Sequence, residues 1–86
     1  MRLDKFLKEA RIFKRRTVAQ EVASSPQMTV NGKRAKKGLE LHVGDIITIR
    51  FKTKVMIIKV NSVDRIFRKE EAENMYEIVS ETTVLS

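Results

Sequence analysis

The stretch Arg2–Thr17, RLDKFLKEARIFKRRT, organises the rest of the chain. Its apolar residues recur at the i, i+3, i+4, i+7 spacing of one buried helix stripe, namely Leu3, Phe6, Leu7 and Ala10. Lys5 and Lys8 then point to the opposite side of the helix, and Arg11 lies on its flank. Asp4 is expected to be the N-cap, because its carboxylate can accept hydrogen bonds from unpaired N–H groups of the first turn. The stretch therefore predicts an amphipathic helix with its apolar side in the core.

A second helix is predicted directly after the basic run Lys14-Arg15-Arg16. The next four residues, Thr17-Val18-Ala19-Gln20, fit the S/T-x-x-E/Q capping box that opens helices. The residues that this helix is expected to bury are Val18, Ala19, Val22 and Ala23. Ser24-Ser25-Pro26 should end it, because proline cannot continue the helical hydrogen bonding.

The arginines before the second helix point to an anionic partner. Cations at a helix N-terminus are mildly unfavourable in the free protein, yet a phosphate there would meet both the free N–H groups and the arginines. A solvated charge run without a partner is the alternative for such a run taken alone. We predict that Arg2, Arg11, Arg15 and Arg16 grip phosphates, with Arg16 central. The full set of predicted RNA contacts is Arg2, Lys5, Lys8, Arg11, Lys14, Arg15, Arg16, Thr17, Lys33, Arg34, Lys36 and Lys37.

The middle of the chain reads as antiparallel strands. Met28-Thr29-Val30 alternates apolar and polar residues and is followed by Asn31-Gly32, the pair favoured in the type I′ turn of a hairpin. The returning strand begins at Lys33-Arg34-Ala35, and Lys36-Lys37-Gly38 is expected to continue it. A turn at Gly44-Asp45 then leads into two β-rich strands, Ile46–Phe51 and Val55–Val60. The pattern predicts an α+β fold in which two N-terminal helices pack on a small antiparallel sheet.

Composition and charge favour one small globular domain that binds a polyanion. The 86 residues are 42% apolar and contain no cysteine, and the net charge is +7. All 18 basic residues lie in residues 1–69 with 6 acids, whereas residues 70–86 hold 5 acids and no base. We expect no signal peptide, because a charged amphipathic helix begins at once, and no apolar run approaches the ~20 residues of a membrane span. The asymmetry indicates nucleic acid on the basic side, since the apolar stripe of the first helix is needed for the core and is not left for lipid.

Several segments together resemble the alpha-L RNA-binding domain, the S-four type named after the fourth protein of the small ribosomal subunit. They are RLDKFL (2–7), KRRT (14–17), VNG (30–32) and GDI (44–46). The resemblance implies that the two helices and the following hairpin form an RNA-binding face. The family usually has Gly-basic-Val where this chain has Pro26-Gln27-Met28. We expect the RNA-binding domain to span residues 1–62, followed by an acidic C-terminal extension, residues 63–86, packed on it or simply following it.

The remainder, including KEEAENMY (69–76), resembles short stand-alone members of the family that are related to the heat shock protein fifteen family. This resemblance implies a factor of bacterial ribosome-associated quality control. Such a factor binds stalled large ribosomal subunits carrying peptidyl-tRNA, contacts rRNA and tRNA, and supports alanine tailing with RqcH, whether or not it touches RqcH directly. It further implies a cytoplasmic, ribosome-associated monomer that needs no cofactor. A heat shock protein fifteen-like role in large-subunit recycling is the alternative within the binding class.

Enzymatic chemistry finds little support among the residue types. His42, the one histidine, has no evident partner and is assigned to the surface or a half-buried position. The acids at positions 70, 71, 73 and 77 are assigned to a solvated helix or turn, not to a metal site. Phe6, Phe13 and Phe51 are assigned to the core, so that structured RNA bound by shape and phosphate contacts fits better than readout of unstacked bases. An RNA-processing enzyme stays as the alternative from another class, and DNA as a weaker ligand.

Overall fold

A computed structural model describes residues 1–64 and 69–84. Two helices come first, α1 at Leu3–Glu9 and α2 at Arg16–Ala23. They are followed by β1 (Met28–Val30), β2 (Lys33–Arg34), β3 (Ile46–Arg50), β4 (Lys54–Val60), a 3-10 helix (Lys69–Asn74) and β5 (Tyr76–Thr83). All strand pairs are antiparallel, in the order β2-β1-β3-β4-β5. The predicted α+β arrangement of two helices and an antiparallel sheet is confirmed.

The apolar stripe of α1 is buried as predicted. Leu3, Phe6 and Leu7 are fully inaccessible to solvent and Ala10 nearly so. On α2 the buried residues are the alanines Ala19 and Ala23. The stripe lies in one cluster with the sheet residues Met28, Val30, Ile47, Ile49, Met56, Ile58 and Val60. The helices therefore cover one face of the sheet, and the basic side of α1 is left to solvent.

The prediction that Asp4 caps α1 is wrong. The N-cap is Arg2, which makes no capping bond through its side chain, and Asp4 lies within the helix and is buried. The N–H of Leu3 donates to the carbonyl of Leu39 at 2.8 Å, and that of Asp4 donates to the carbonyl of Lys37 at 3.0 Å. Since a loop from elsewhere in the chain pairs these first-turn N–H groups, no side-chain cap is needed for them.

The capping box predicted for α2 is also wrong. The helix begins at Arg16, two residues earlier than a Thr17 N-cap implies, and Arg15 is its N-cap with no side-chain capping bond. Gln20 does not reach back to the helix start. Its Nε2 instead donates to Oδ2 of Asp4 at 3.5 Å, which links α2 to α1.

The predicted buried face of α2 needs one correction. Val18 is 39% exposed, and Val22 is only half-buried. The two fully buried positions, Ala19 and Ala23, are spaced i, i+4 and form a narrow stripe, which leaves Val18 turned outward. The helix ends at Ala23, immediately before Ser24-Ser25-Pro26, as predicted.

The hairpin prediction at Asn31-Gly32 is confirmed. Both residues have positive φ, 54° and 79°, as a type I′ turn requires. The side chain of Asn31 also ties the turn to the next strand, because its Oδ1 accepts the N–H of Ile46 at 3.0 Å. Strand β2 ends at Arg34, so the expected continuation through residues 36–38 is wrong. Those residues belong to a loop in which the carbonyls of Lys37 and Leu39 accept from N–H groups at the start of α1.

The last strand completes one edge of the sheet and was not predicted. β5 pairs with β4 from Val60↔Tyr76 to Lys54↔Thr83, with a bulge between Ile57 and Ile58. Its exposed residues include acids and the apolar Ile78 and Val79. Residues 69–74 form a helix, as assigned, whereas position 77 lies in β5. Within residues 1–64 and 69–84, no helix combines the length and apolar character needed to cross a membrane.

Candidate RNA interface

All of the side chains predicted to contact RNA lie on the surface. The exposed residues are Arg2, Lys5, Lys8, Arg11, Lys14, Arg15, Arg16, Thr17, Lys33, Arg34, Lys36 and Lys37. They come from the N-terminal residues, α1, the α1–α2 connection, the start of α2, strand β2 and the loop after it. The fold thus places on the outside every cation that a phosphate would have to reach.

The first group of cations surrounds an open cleft beside the start of α1. The cleft has a volume of about 690 Å³, and its charged lining residues are Arg2, Arg34, Lys36 and Lys37. Backbone pairing brings these distant parts of the chain together. In addition to the two N–H groups of the first turn of α1, the N–H of Leu41 donates to the carbonyl of Met1 at 2.9 Å. We name this the N-terminal cleft.

Arg2 is packed tightly within the N-terminal cleft. A Cβ built on Gly38 would lie 3.0 Å from Nη2 of Arg2, so the guanidinium lies directly against the glycine backbone. The Arg2 side chain is still 55% exposed, and its Nε is 3.9 Å from the carboxylate of Asp4. This arrangement orients the guanidinium and leaves it accessible to a ligand. Gly38 was not identified from sequence, because its role depends on a contact between residues far apart in the chain.

A second group of cations lies at the other end of α1. Lys8, Arg11 and Lys14 line a cleft of about 390 Å³ together with Phe13. We name this the helix-end cleft. Arg2 precedes α1 and Arg11 follows it, so the two clefts are separated by the length of the helix, roughly 10 Å at 1.5 Å per residue. Of the four arginines that the sequence grouped, Arg2 and Arg11 thus lie in different clefts, and Arg15 and Arg16 line neither.

A third group stands at the start of α2. Arg15 has an extended backbone, with φ −114° and ψ 135°, and Arg16 is the first helical residue. No side chain caps this end of the helix, and Thr17 is exposed within the first turn. The N–H groups of a first helical turn have no partner within their own helix, so the arginines and these donors offer a phosphate two kinds of contact.

The acidic groups near the N-terminal cleft are engaged by the protein itself. Oε1 of Glu40 accepts a hydrogen bond from the Met1 ammonium at 2.9 Å, and this contact holds the pKa of Glu40 below its usual range. Asp4 is buried and accepts from the N–H of Lys5 at 2.8 Å. Further acids lie on β5, at the sheet edge opposite to the basic β2. The charge asymmetry of the sequence thus becomes a separation in space.

The residues weighed for enzymatic roles are not gathered into a site. His42 is exposed, and its backbone N–H donates to Oδ2 of Asp45 at 2.9 Å. Among the described residues, no three His, Cys, Asp or Glu side chains lie together as metal ligands would. The chemistry that the arrangement offers is the binding of anions by arginine, lysine and backbone N–H groups.

Comparison with known proteins identifies relatives along the whole chain. A family model described as the S4 domain matches residues 1–47. An RQC P-site tRNA stabilizing factor from Streptococcus pneumoniae is 51% identical over 84 residues, covering 98% of this chain and 96% of that protein. The protein of the same name from Bacillus subtilis is 47% identical and covers 94% of both chains. The trimeric structure of Vibrio cholerae heat shock protein 15 superposes with a TM-score of 0.83 at 28% identity, covering 93% of this chain and 82% of that one.

Proposed function

Because this chain belongs to the S4 domain family and, within it, to the RQC P-site tRNA stabilizing factors, we propose that it binds stalled large ribosomal subunits and steadies the peptidyl-tRNA that they carry. It does so through contacts to rRNA and tRNA at the cationic surface of α1, α2 and β2. This is the role that a resemblance to RqcP, the ribosome quality control P protein, implies. The chain acts in the cytoplasm, on the ribosome.

One observation carries the proposal. The loop after β2 pairs with the residues around the start of α1, and this pairing gathers Arg2, Arg34 and the two lysines of the loop around the N-terminal cleft. The acids beside these cations are bound by the protein itself. Asp4, whose carboxylate is 3.9 Å from Nε of Arg2, is buried, and Glu40 accepts from the Met1 ammonium. Four cations around one cleft are suited to bind phosphates, which supply both charge and hydrogen-bond acceptors.

The separation of the clefts fits a continuous nucleic-acid backbone. The N-terminal cleft and the helix-end cleft lie at the two ends of α1. Successive phosphates of one strand are roughly 3.4 Å apart along a duplex axis, so two sites about 10 Å apart meet phosphates a few nucleotides apart. Shape and phosphate contacts of this kind recognise structured RNA with little dependence on sequence. The proposed function is therefore the binding and positioning of RNA.

Within this role the chain is a monomer that supports alanine tailing by RqcH. The tRNA held in place on the large subunit carries the stalled chain to which the alanine tail is added. Since the heat shock protein 15 structure is trimeric, the mass of the protein in solution should be measured free and in the presence of RNA. A single-chain mass supports the monomer, and a trimeric mass contradicts it.

The test is co-sedimentation with large subunits that carry peptidyl-tRNA. Arg2→Ala and Arg16→Ala should weaken association while leaving the melting temperature unchanged. Arg16→Lys should restore binding only in part, because lysine lacks the planar fork that takes two phosphate oxygens at once. Lys59→Ala is the matched control, since Lys59 is an exposed cation of β4, away from these clefts. If both arginine variants bind large subunits as well as the parent protein does, the RNA face lies elsewhere.

The structural likeness to heat shock protein 15 favours one second candidate, a role in recycling of the large subunit. A reconstituted reaction with RqcH, alanyl-tRNA and stalled large subunits distinguishes the tailing role from the recycling role. Loss of alanine addition when the protein is omitted supports the tailing role. Alanine addition that proceeds without it, with altered release of peptidyl-tRNA, supports recycling. Cleaved or modified RNA would instead indicate an enzyme.

A further inference from the structure

The helix-end cleft contains an aromatic ring among its cations. Phe13 is half-buried and lines the cleft together with Lys8, Arg11 and Lys14. The volume of the cleft, about 390 Å³, is within the range of small-molecule sites. Proteins that bind single-stranded nucleic acids use the same combination of an aromatic ring and cations. The ring stacks on a base, and the positive charge attracts the adjoining phosphates.

The backbone at this cleft is held in an unfavourable conformation. Arg11 has a φ of 60°, in the left-handed region that residues other than glycine, asparagine and aspartate rarely adopt. The N–H groups of Ile12 and Phe13 both donate to the carbonyl of Leu7, at 3.1 and 3.2 Å, which turns the chain sharply after α1. Glycine is the usual residue at such a helix end. A long cation at this position, turned toward the cleft, is a feature that stability alone does not explain.

The ring of Phe13 packs against a second aromatic ring. Its centroid is 6.0 Å from that of Phe51, with a tilt of 39° between the rings. The ammonium of Lys54 lies 5.3 Å from the Phe51 centroid, so the second ring is itself held in place. Because Phe13 packs against the core and Phe51 does not line the cleft, the two rings have separable roles.

We propose that Phe13 is a stacking platform for one unpaired RNA base, and that Lys8, Arg11 and Lys14 hold the phosphates next to that base. The inference deepens the proposed function, on which it rests for the identity of the ligand as RNA. In addition to the phosphate contacts, the surface then makes one contact to an unstacked base. Stacking tolerates any base, so the site does not read sequence.

The test compares two ligands that differ only in their bases. One is a single-stranded adenosine decamer and the other is the same phosphodiester backbone with stable abasic residues. Phe13→Leu should lower affinity for the adenosine decamer by roughly 5- to 150-fold, the loss expected for one base–aromatic stack. Its affinity for the abasic decamer should equal that of the parent. Lys8→Ala should weaken binding to both ligands.

Phe51→Leu is the matched control for packing. It removes the same ring–ring contact without removing the ring from the cleft, so it should bind the adenosine decamer nearly as well as the parent. Phe13→Tyr should retain affinity, because it keeps the aromatic face. The proposal is overturned if folded Phe13→Leu binds the adenosine decamer like the parent, or if it loses affinity equally for both decamers.

A spectroscopic readout follows stacking directly. The chain contains no tryptophan, so Phe13→Trp and Phe51→Trp each carry a single indole reporter. Adenosine decamer should quench the fluorescence of Phe13→Trp, whereas abasic decamer should not, and Phe51→Trp should respond to neither. Quenching of the Phe51→Trp indole alone would contradict the proposal. If the parent binds the decamer through Phe13 but fails to co-sediment with stalled large subunits, the base platform stands and the ribosomal function fails.

Discussion

The guanidinium of Arg2 lies against the backbone of Gly38, so close that a Cβ on Gly38 would be 3.0 Å from Nη2 of Arg2. The two residues are distant in the chain and meet because residues 37–41 pair with residues 1–4. The contact leaves Arg2 exposed toward the N-terminal cleft and limits the directions in which its side chain can point. The absence of a side chain at Gly38 thus helps to orient the guanidinium of Arg2 in that cleft.

Gly38→Ala should weaken RNA binding without unfolding the protein. The added methyl group meets only the flexible end of Arg2, and Gly38 does not have positive φ, so stability should change by no more than about 0.5 kcal/mol. Affinity for stalled large subunits should fall in the same direction as in Arg2→Ala. The double variant should bind no worse than Arg2→Ala, because the two changes act on one contact. Additive losses in co-sedimentation would refute this link.

Binding to ribosomal RNA or tRNA should weaken steeply as salt rises. The cations of the two clefts and of the α2 start displace condensed counterions from the phosphates that they contact. The log–log slope of affinity against salt should equal about 0.7–0.9 for each phosphate contacted. Filter binding or fluorescence anisotropy over a salt series measures it, and a flat dependence would contradict the electrostatic reading of this surface.

Leu7→Ala should cost about 2–5 kcal/mol of unfolding free energy, because Leu7 is fully buried against the sheet. Lys5→Ala and Lys8→Ala, on the exposed side of the same helix, should stay within about 0.5 kcal/mol of the parent. Urea unfolding of the three variants distinguishes fold residues from RNA-contacting residues. Equal destabilisation in all three would mean that the helix face is wrongly assigned.

Arg11→Gly should make the protein more stable and lower its affinity for RNA. Relief of the left-handed conformation contributes about 1–2 kcal/mol, and the greater freedom of glycine in the unfolded chain offsets part of it, for a net gain of about 0.5–1 kcal/mol. The salt slope of RNA binding should fall by about one contact. Thermal melting and the salt series give both quantities. A less stable variant would show that the Arg11 side chain is needed for folding.

The contact between Glu40 and the Met1 ammonium should stabilise the fold only above acidic pH. It lowers the pKa of Glu40 in the folded state, so the unfolded chain binds more protons when the pH lies between the two values. The stabilisation is complete above the unfolded pKa, about 4.3 for glutamate, and is lost as pH falls through the lower folded value. Melting temperatures of parent and Glu40→Gln should therefore converge at low pH. A constant difference across the series would exclude this ion pair as the cause.

The amino-acid sequence by itself determined the elements whose signals are local. The buried stripe of α1, the end of α2 before Pro26 and the turn at Asn31-Gly32 each follow from side-chain periodicity or from backbone preferences within a few residues. The charge asymmetry could likewise be read directly, since it requires only the position of each residue along the chain. The family resemblance rested on the same local segments.

Only the tertiary structure decided which groups meet across long separations. Asp4 was predicted as the N-cap of α1, but the N-cap is Arg2, and carbonyls of the loop after β2 accept the N–H groups of Leu3 and Asp4. The side chain of Gln20 bonds to Asp4 and not to the start of its own helix. Strand β5 was missed because its acids and exposed apolar residues follow no clean alternation, and a bulge breaks its pairing with β4.

The clustering of candidate RNA contacts is also a property of the folded chain. Arg2 lies beside the cations that follow β2, and Phe13 lies beside the cations at the end of α1. The periodicity of the sequence does not predict either arrangement. The physical reason is that hydrogen-bonding groups and side chains select partners by distance in space, and burial of the shared core is what fixes those distances.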